Sequence, residues 1–491
     1  MVTDTDVSTD SGWRALLGPK HLGVSTVLAG GVALYATNEF LTISLMPSAV
    51  AEIGGQRFYA WVMTVYLVAS VAAATTVSAV LARFGPRSAY LGALTVFGLA
   101  SITCALAPTM ELLLVGRTIQ GGAGGLLAGL GYAVINTALP EALWTRASAL
   151  VSAMWGVGTL LGPAAGGIFA QFASWRWAFG ALVVLTAMIA ALVPISLPKR
   201  TRGDRPAASR VPIWSLMLLG AAALLVSVAG LASDLLMTGL ILALSGALIG
   251  AFIVVDRRAA LATAGPATGH SVLPRTAFRR GPLKWMYLTL GLLMASTMVD
   301  MYVPLFGQRL AHLAPLAAGF LGVALAVGWT VSEILSASAD RRGVVVRIVV
   351  ASPVVMIVGL VGSAMMVEQS MAGWSVGLWV AALVITGTGI GMAWPHLSAW
   401  AMGGVDDPAE GPVAAAAINT VQLICGAFGA GLAGVVVNHS ATDDVHAARV
   451  LFIVFAALAC VAVIAAWRAT RRDRPSAIRG GISYLKTGVE K

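Results

Sequence analysis

The chain contains fourteen apolar runs of about 20 residues, the length that an α-helix needs to cross a bilayer. Apolar residues make up 58% of the chain and charged residues 11%, against about 25% charged residues in soluble domains. Because such a chain cannot cover its apolar surface in water, we expect an all-α integral membrane protein. The predicted spans are 21–46, 58–82, 88–107, 110–135, 147–170, 175–197, 213–233, 235–255, 285–307, 316–338, 347–367, 374–395, 412–437 and 447–467.

Lysine and arginine are distributed unevenly between the loops. Fourteen spans place both termini on one side, and the segments on that side hold 26 of the 31 basic residues. The opposite loops hold four, and Arg117 lies inside a span. By the positive-inside rule we expect a multi-pass protein of the plasma (inner) membrane with both termini in the cytoplasm. The same distribution accounts for the net charge of +10 without a nucleic-acid partner.

The two halves of the chain repeat each other weakly. The glycine-rich runs 121–125 and 387–391 occupy equivalent positions in the two halves. We expect a six-helix bundle in each half, with two inserted helices between them. The expected divisions are a cytoplasmic N-terminal tail (1–20), an N-terminal bundle (21–197), a linker with two extra transmembrane helices (198–284), a C-terminal bundle (285–467) and a cytoplasmic C-terminal tail (468–491).

A glycine pattern stands out in residues 156–167, which read GVGTLLGPAAGG. Glycines three to five residues apart leave one helix face without side chains, so a neighbouring helix can approach closely. A proline in the same run removes a backbone hydrogen bond and bends the helix. We expect this helix to form a seal between the two bundles, although plain helix packing would explain any single glycine. The pattern consists of Gly158, Gly162, Pro163, Gly166 and Gly167.

Arg117, Glu39 and Asp300 lie deep inside predicted spans. An arginine in the membrane costs about 2.5–3.5 kcal/mol on insertion scales, so it needs a partner. Arg117 and Glu39 both lie about 12 Å from the outer surface at 1.5 Å per residue, which predicts an ion pair. A static hydrogen bond between helices is the alternative for Glu39. Asp300, at similar depth in the second half, is the second candidate for binding protons or a substrate charge.

Further polar side chains on these helices are candidates for lining a substrate cavity. We assign this role to Asn38, Gln120, Tyr302, Asn419 and Gln422. Glu333 lies near the end of the span 316–338, close to Arg341 and Arg342. A local salt bridge is its expected role.

Five segments resemble four motifs of the major facilitator superfamily. The glycine pattern resembles its antiporter motif, and R-x-x-Q-G at 117–121 resembles the motif near its proton-coupling site. Residues 38–47 resemble the signature of its fourteen-helix drug:proton antiporters, with Asn38 in the place of an aspartate and Glu39 beside it. Two loops resemble its gate motif, although the first has Ala82 instead of an aspartate. The resemblance assigns the gate to Arg83, Gly85, Arg87, Asp340, Arg341 and Gly343.

This resemblance covers about residues 21–467 and implies the major facilitator fold. It also implies a proton-coupled exporter of a hydrophobic or amphipathic small molecule, of the multidrug efflux type, that works by alternating access. The alternatives are an exporter or flipping protein for an envelope lipid or metabolite, a proton-coupled metabolite importer, and a non-transporting scaffold.

Several kinds of chemistry are not expected. No phosphate-binding loop of the form G-x4-GK[ST] occurs, so ATP is not the expected energy source. The three cysteines and the histidines lack metal-ligand spacing. We expect no enzymatic activity, cofactor, metal or disulfide. The expected partners are a small-molecule substrate, protons and membrane lipid, with the protein acting as a monomer.

Overall fold

The computed structural model describes residues 13–140, 143–198, 211–262, 271–339, 341–407, 410–440 and 443–471. In these ranges the chain forms α-helices and short 3-10 helices and no β-strand, which confirms the predicted all-α fold. The α-helices are α1 Trp13–Leu16, α2 Leu22–Ile53, α3 Trp61–Ala74, α4 Val77–Ala105, α5 Met110–Ala133, α6 Ile135–Ala138, α7 Trp144–Phe172, α8 Trp175–Ser196, α9 Ile213–Ala229, α10 Leu235–Ala262, α11 Leu283–Thr297, α12 Val303–Leu310, α13 Pro315–Ser336, α14 Arg342–Met366, α15 Gly373–Gly403, α16 Gly411–His439 and α17 Asp444–Thr470.

Helices occupy all fourteen predicted positions, but not all of them have the length and composition of a membrane span. Within the described ranges, eleven helices are long and apolar enough to cross a membrane. α9 is shorter, with 17 residues, and α2 and α5 carry the buried charged residues Glu39 and Arg117. The exact count of fourteen therefore does not follow from length and apolarity alone.

The helices pack as two bundles with an additional pair. In the N-terminal bundle, which comprises α2 to α8, α2 packs along α7, α5 and α8, and α4 packs on α5 and α8. In the C-terminal bundle, α11 to α17, α15 packs on α13 and α14, and α17 packs on α11 and α14. α9 and α10 pack on each other.

Loops alternate between two sides, because successive spans run in opposite directions. We call the side that carries residues 13 and 471 the terminus side, and the other the distal side. The distal side carries the loops after α2, α12 and α16.

Local chemistry explains two irregular segments. Gly85 has φ 76° and ψ 168°, a conformation that glycine adopts readily because it lacks a Cβ. This residue makes the turn between the spans predicted at 58–82 and 88–107. The 3-10 helix Met298–Tyr302 separates α11 from α12. Pro304 has no N–H to give to the carbonyl of Asp300, which accepts instead from Val303 N–H, one residue closer.

Aromatic stacking closes the distal side between the bundles. Tyr59, at the start of the second span, stacks on Tyr302 with ring centroids 4.8 Å apart. Tyr59 Oη also donates to the Met301 carbonyl at 3.1 Å. Tyr302 continues the stack onto Phe306 at 6.0 Å.

Two polar contacts flank this stack. Arg309 Nη2 donates to Gln56 Oε1 at 3.2 Å, and Leu316 N–H donates to Gln171 Oε1 at 3.2 Å. Each joins one bundle to the other. We call the whole group the distal seal; it comprises Gln56, Tyr59, Gln171, Met301, Tyr302, Phe306, Arg309 and Leu316.

The inserted helix α9 lies against the cleft between α3 and α16. Trp61 Nε1 donates to the Ser227 carbonyl at 3.2 Å, and Ser227 Oγ donates to Thr64 Oγ1 at 3.0 Å. A Cβ added at Gly431 of α16 would lie 2.9 Å from Ser227 Oγ. Ser227 therefore touches both bundles.

A folded linker fastens the inserted pair to the C-terminal bundle. The buried carboxylate of Asp256 accepts from Ser215 Oγ at 2.8 Å, Val272 N–H at 2.7 Å and Leu273 N–H at 2.9 Å. Beyond this point the linker reaches the loop before α16. The contacts are Thr276 N–H to Glu410 Oε2 at 3.0 Å, Asp406 N–H to Thr276 Oγ1 at 3.0 Å, and the ion pair of Arg279 with Asp406 at 2.7 Å.

Candidate functional site

Arg117 occupies the interior of the N-terminal bundle and is fully buried. Its Nη1 donates to Asn38 Oδ1 at 3.1 Å and to Gln120 Oε1 at 2.6 Å. Its Cζ lies 4.1 Å from the centroid of the Tyr66 ring. Charge-assisted hydrogen bonds and a desolvated cation–π contact together offset the cost of about 2.5–3.5 kcal/mol for an arginine in the membrane.

Helical spacing builds the rest of this network. Arg117 and Gln120 are three residues apart and share one face of α5. Gln120 Nε2 donates to Ser101 Oγ on α4 at 2.8 Å. Arg117 Nε is buried and has no hydrogen-bond partner, so the guanidinium keeps a spare donor. The network ties α2, α3, α4 and α5 together around one positive charge.

The predicted ion pair between Glu39 and Arg117 is not formed in this structure. Arg117 bonds to Asn38, the preceding residue, and no salt bridge joins the two predicted partners in the described part of the chain. Side chains of neighbouring residues point about 100° apart around a helix, so only one of the two can face α5. Glu39 is buried, and its Oε2 has no hydrogen-bond partner.

Asp300 lies opposite Glu39 across the boundary between the bundles. It belongs to the 3-10 helix Met298–Tyr302, which packs against α2. Its Oδ1 is a buried atom without a hydrogen-bond partner. The fold thus places one acidic residue from each bundle on two elements that pack against each other.

Tyr302 lies in the distal seal and not on an open cavity wall. Its side chain is fully buried between Tyr59 and Phe306, and its hydroxyl has no hydrogen-bond partner. A substrate could reach it only after the stack separates.

The motif glycines bring α7 into backbone contact with α2. A Cβ added at Gly158 would lie 2.7 Å from Thr37 N, and one at Gly162 would lie 2.8 Å from Leu41 N. One at Gly166 would lie 2.7 Å from the Leu41 carbonyl. The predicted bare helix face is present, and it packs within the N-terminal bundle.

Among the motif glycines, Gly167 is the one whose added Cβ would first meet the C-terminal bundle, whereas the nearest atoms at the other three belong to α2. A Cβ at Gly167 would lie 2.6 Å from Leu316 Cα of α13. Gly167 is the next residue after Gly166 and therefore faces a direction about 100° away from α2. Pro163 lies inside α7, and its carbonyl accepts from Ser44 Oγ at 3.3 Å.

Asn419 and Gln422 lie on the face of α16 that opposes the N-terminal bundle. A Cβ added at Gly426 would lie 3.3 Å from Leu67 Cδ1 of α3. The two polar residues precede Gly426 by seven and four positions, which places them within about 40° of its direction. Asn419 is exposed and Gln422 is half-buried. Both therefore face the space between the bundles on the terminus side.

The gate residues lie at the terminus-side loops. The Arg83 side chain is exposed, with Cζ 5.5 Å from the Phe84 ring centroid, and Arg87 is half-buried beyond the Gly85 turn. Arg341 is the N-cap residue of α14, and Gly343 lies in its first turn. Asp340 lies outside the described residues, so its proposed locking role stays a prediction.

Glu333 does not form the predicted salt bridge with Arg341 or Arg342. Its Oε2 accepts from Trp329 Nε1, one turn earlier, at 2.9 Å. The Trp329 ring centroid lies 5.4 Å from that of Trp394 on α15. The spacing of Trp329 and Glu333 is a visible sequence signal for this bond, whereas the contact with Trp394 arises from helix packing alone.

Comparisons with known proteins agree with this architecture. The family model described as Major Facilitator Superfamily matches residues 28–430. A protein of Mycobacterium tuberculosis (strain H37Rv) described as a probable multidrug-efflux transporter is 58% identical over 478 residues, which cover 96% of this chain and 99% of that protein.

Solved transporters share the fold at low sequence identity. The nucleoside transporter NupG aligns with a TM-score of 0.62 at 12% identity over 92% of this chain and 99% of its own. A D-xylose-proton symporter aligns with a TM-score of 0.63 at 11% identity over 91% of this chain and 97% of its own. At these identities the likeness concerns the fold alone.

Proposed function

We propose that this chain, which belongs to the major facilitator superfamily, exports hydrophobic or amphipathic small molecules in exchange for protons. It is a multi-pass membrane protein and a secondary transporter. The relative with 58% identity over nearly the whole chain is described as a probable multidrug-efflux transporter, which supports export of that type.

The observation that supports proton coupling is the presence of two acidic residues at the boundary of the bundles, Glu39 on α2 and Asp300 on the 3-10 helix that packs against α2. Each has a buried carboxyl oxygen without a hydrogen-bond partner. Acidic side chains within transmembrane segments are typical of proton pathways in transporters. Asp300 directly precedes Met301 of the distal seal. In this proposal, opening the seal exposes both carboxyl groups to the distal solution and closing it covers them.

Arg117 couples this pair to the packing of the N-terminal bundle. Its guanidinium holds Asn38, the neighbour of Glu39, and keeps Nε free. A rotation of α2 against α5 exchanges Asn38 for Glu39 as the partner. We propose that this exchange accompanies the movement of the bundles. It brings the positive charge of Arg117 into contact with the Glu39 carboxylate.

The terminus side faces the cytoplasm in this proposal, because the sequence segments predicted on that side hold 26 of the 31 basic residues. Cysteines placed within 476–480 should react with a membrane-impermeant reagent only from the cytoplasm, and cysteines within 439–446 only from outside. The reverse labelling would refute this orientation. We further propose a monomer in the plasma membrane.

The test of function uses the purified protein in liposomes with an imposed pH gradient. Ethidium should accumulate in vesicles with an acidic lumen, since protons leaving the lumen drive ethidium inward. Glu39→Gln should abolish this uptake while ethidium still binds, and Glu368→Gln, an exposed distal-side residue, is the matched control. Movement of ethidium in the same direction as protons would instead show a proton-coupled importer.

Substrate-induced proton release from detergent-solubilised protein separates the two acidic residues. Wild-type protein should release protons when substrate binds, and Glu39→Gln should not. If Glu39→Gln releases protons like wild type and Asp300→Asn does not, the coupling role belongs to Asp300.

A further inference from the structure

We infer that Trp329, Glu333 and Trp394 form a binding site for an amphipathic organic cation, at the terminus-side mouth of the space between the bundles. This inference rests on the proposed export function and adds to it the charge of the preferred substrate. It is carried by the position of Glu333, the partners of its carboxylate and the aromatic pair beside it.

The position of Glu333 follows from the face of α13 on which it lies. Gly319 of α13 faces the N-terminal bundle: a Cβ there would meet Ser44 Oγ and lie 3.3 Å from the Pro163 carbonyl. Glu333 follows Gly319 by fourteen residues, which returns it to within about 40° of that direction. Thr330, on the same face, is exposed. Glu333 therefore lies near the face of α13 that packs on the N-terminal bundle, close to the terminus-side end of that helix.

The carboxylate of Glu333 is held in place by a hydrogen bond but can still accept further hydrogen bonds. It accepts one hydrogen bond, from Trp329 Nε1, and it forms no ion pair within the described residues. A carboxylate has about four lone-pair sites, so most of its capacity stays open. The hydrogen bond also fixes the indole of Trp329 beside the negative charge.

Two indole rings form the apolar part of the site. The rings of Trp329 and Trp394 are inclined by 54°, and both side chains are half-buried. The face of an indole attracts a cation through its quadrupole, and tryptophan is the strongest aromatic partner for this contact. A carboxylate beside such a ring attracts an organic cation and repels an anion of the same size.

The depth of the site suits an amphiphile. Glu333 lies three residues before the end of α13, about 4.5 Å along the helix axis. The charged head of an amphiphile in the adjacent leaflet lies at the membrane surface, with its apolar part among the acyl chains. Such a molecule meets Glu333 with its charge and the indoles with its apolar rings.

A membrane anchor is the other use of tryptophan near a bilayer surface. An anchor would act on stability and would not distinguish the charge of a ligand. The charge dependence of binding therefore decides between the two.

The experiment measures equilibrium binding of two probes of matched size and opposite charge, tetraphenylphosphonium and tetraphenylborate, to the purified full-length protein in detergent. Glu333→Gln should weaken tetraphenylphosphonium binding about tenfold, the effect of one close charge pair at a partly exposed site. Tetraphenylborate binding should not weaken, because Glu333→Gln removes a repelling charge. Trp394→Leu should weaken the cation about two- to thirtyfold, and Trp394→Phe, which keeps a ring, much less. Glu368→Gln is the control and should change neither probe.

Unchanged cation binding in both Glu333→Gln and Trp394→Leu would overturn the inference, as would an equal loss for both probes or no binding of the cation to wild type. Proton-driven transport of a neutral probe in liposomes tests the proposed function separately. If that transport persists while the binding result fails, the site is wrong and the function stands. If binding behaves as expected and no gradient drives transport, the function is wrong and the site stands.

Discussion

Replacing Gly167 by alanine tests whether close approach of α7 and α13 closes the distal side. An added Cβ would lie 2.6 Å from Leu316 Cα and 3.2 Å from Leu316 N. Both are backbone atoms, so no side-chain rotation relieves the overlap. This overlap exists only while the bundles touch. Alanine should therefore destabilise the distal-closed arrangement relative to the distal-open arrangement.

The size of the effect follows from overpacking by one methyl group. Inserting such a group into a packed interface costs about 1–3 kcal/mol. A tenfold change in an equilibrium constant corresponds to about 1.4 kcal/mol. The ratio of distal-closed to distal-open molecules should therefore fall by a factor of about 5 to 150.

Distances between spin labels on the distal side report this ratio. Leu106 and Glu368 are exposed distal-side positions on opposite bundles, and a background without Cys104, Cys425 and Cys460 allows both to be labelled. Gly167→Ala should shift the distance distribution to longer values.

Two glycines of the same helix serve as controls. A Cβ at Gly156 meets nothing within 4 Å, so Gly156→Ala should have no effect on the distance distribution. Gly158→Ala overlaps α2 within one bundle, in either arrangement, so it should lower thermal stability without moving the distances. An unchanged distribution in Gly167→Ala, beside a destabilised Gly158→Ala, would refute the role given to this approach.

Three other substitutions test separate parts of the fold. Gly85→Ala forces a side chain into a positive-φ conformation at a cost of about 1–3 kcal/mol. The variant should therefore unfold at a lower temperature than Gly92→Ala, whose added Cβ has no atom within 4 Å. Asp256→Leu leaves two linker N–H groups without their acceptor, at about 1–3 kcal/mol each, and should speed proteolysis within the linker. Tyr66→Leu removes the aromatic ring that contacts Arg117 and should lower the free energy of unfolding by about 0.5–2 kcal/mol. Tyr66→Phe keeps the ring and should not have this effect.

Apolar run length predicts the helices of this chain well, because a membrane leaves few alternatives to a helix of about 20 residues. The glycine pattern likewise predicts a close helix contact, since missing side chains permit one wherever a neighbour lies. Sequence does not say which neighbour that is. Gly158 and Gly162 pack against α2, whereas Gly167 packs against α13, because residues at different positions of a helix point in different directions.

Depth along a helix can be counted from sequence, but rotation about its axis cannot. Glu39 and Arg117 are at matched depth, yet Asn38 faces Arg117 because the packing of α7 sets the rotation of α2. Contacts between segments far apart in the sequence cannot be predicted from it either. The stacking of Tyr59 on Tyr302 depends on how the two bundles meet, and no local pattern encodes it.

The inserted helix α9 makes the two clefts between the bundles unequal. It lies against the cleft of α3 and α16, held by Ser227. Among the described helices, α9 packs on α3, α10 and α16, and the cleft of α7 and α13 lies away from these contacts.

A molecule dissolved in the lipid therefore meets a covered flank on one side of the protein and an uncovered flank on the other. Trp329 and Glu333 belong to α13, on the uncovered flank. The extra pair of helices thus makes the two flanks of the transporter unequal within the plane of the membrane, and the proposed cation site lies on the flank away from that pair.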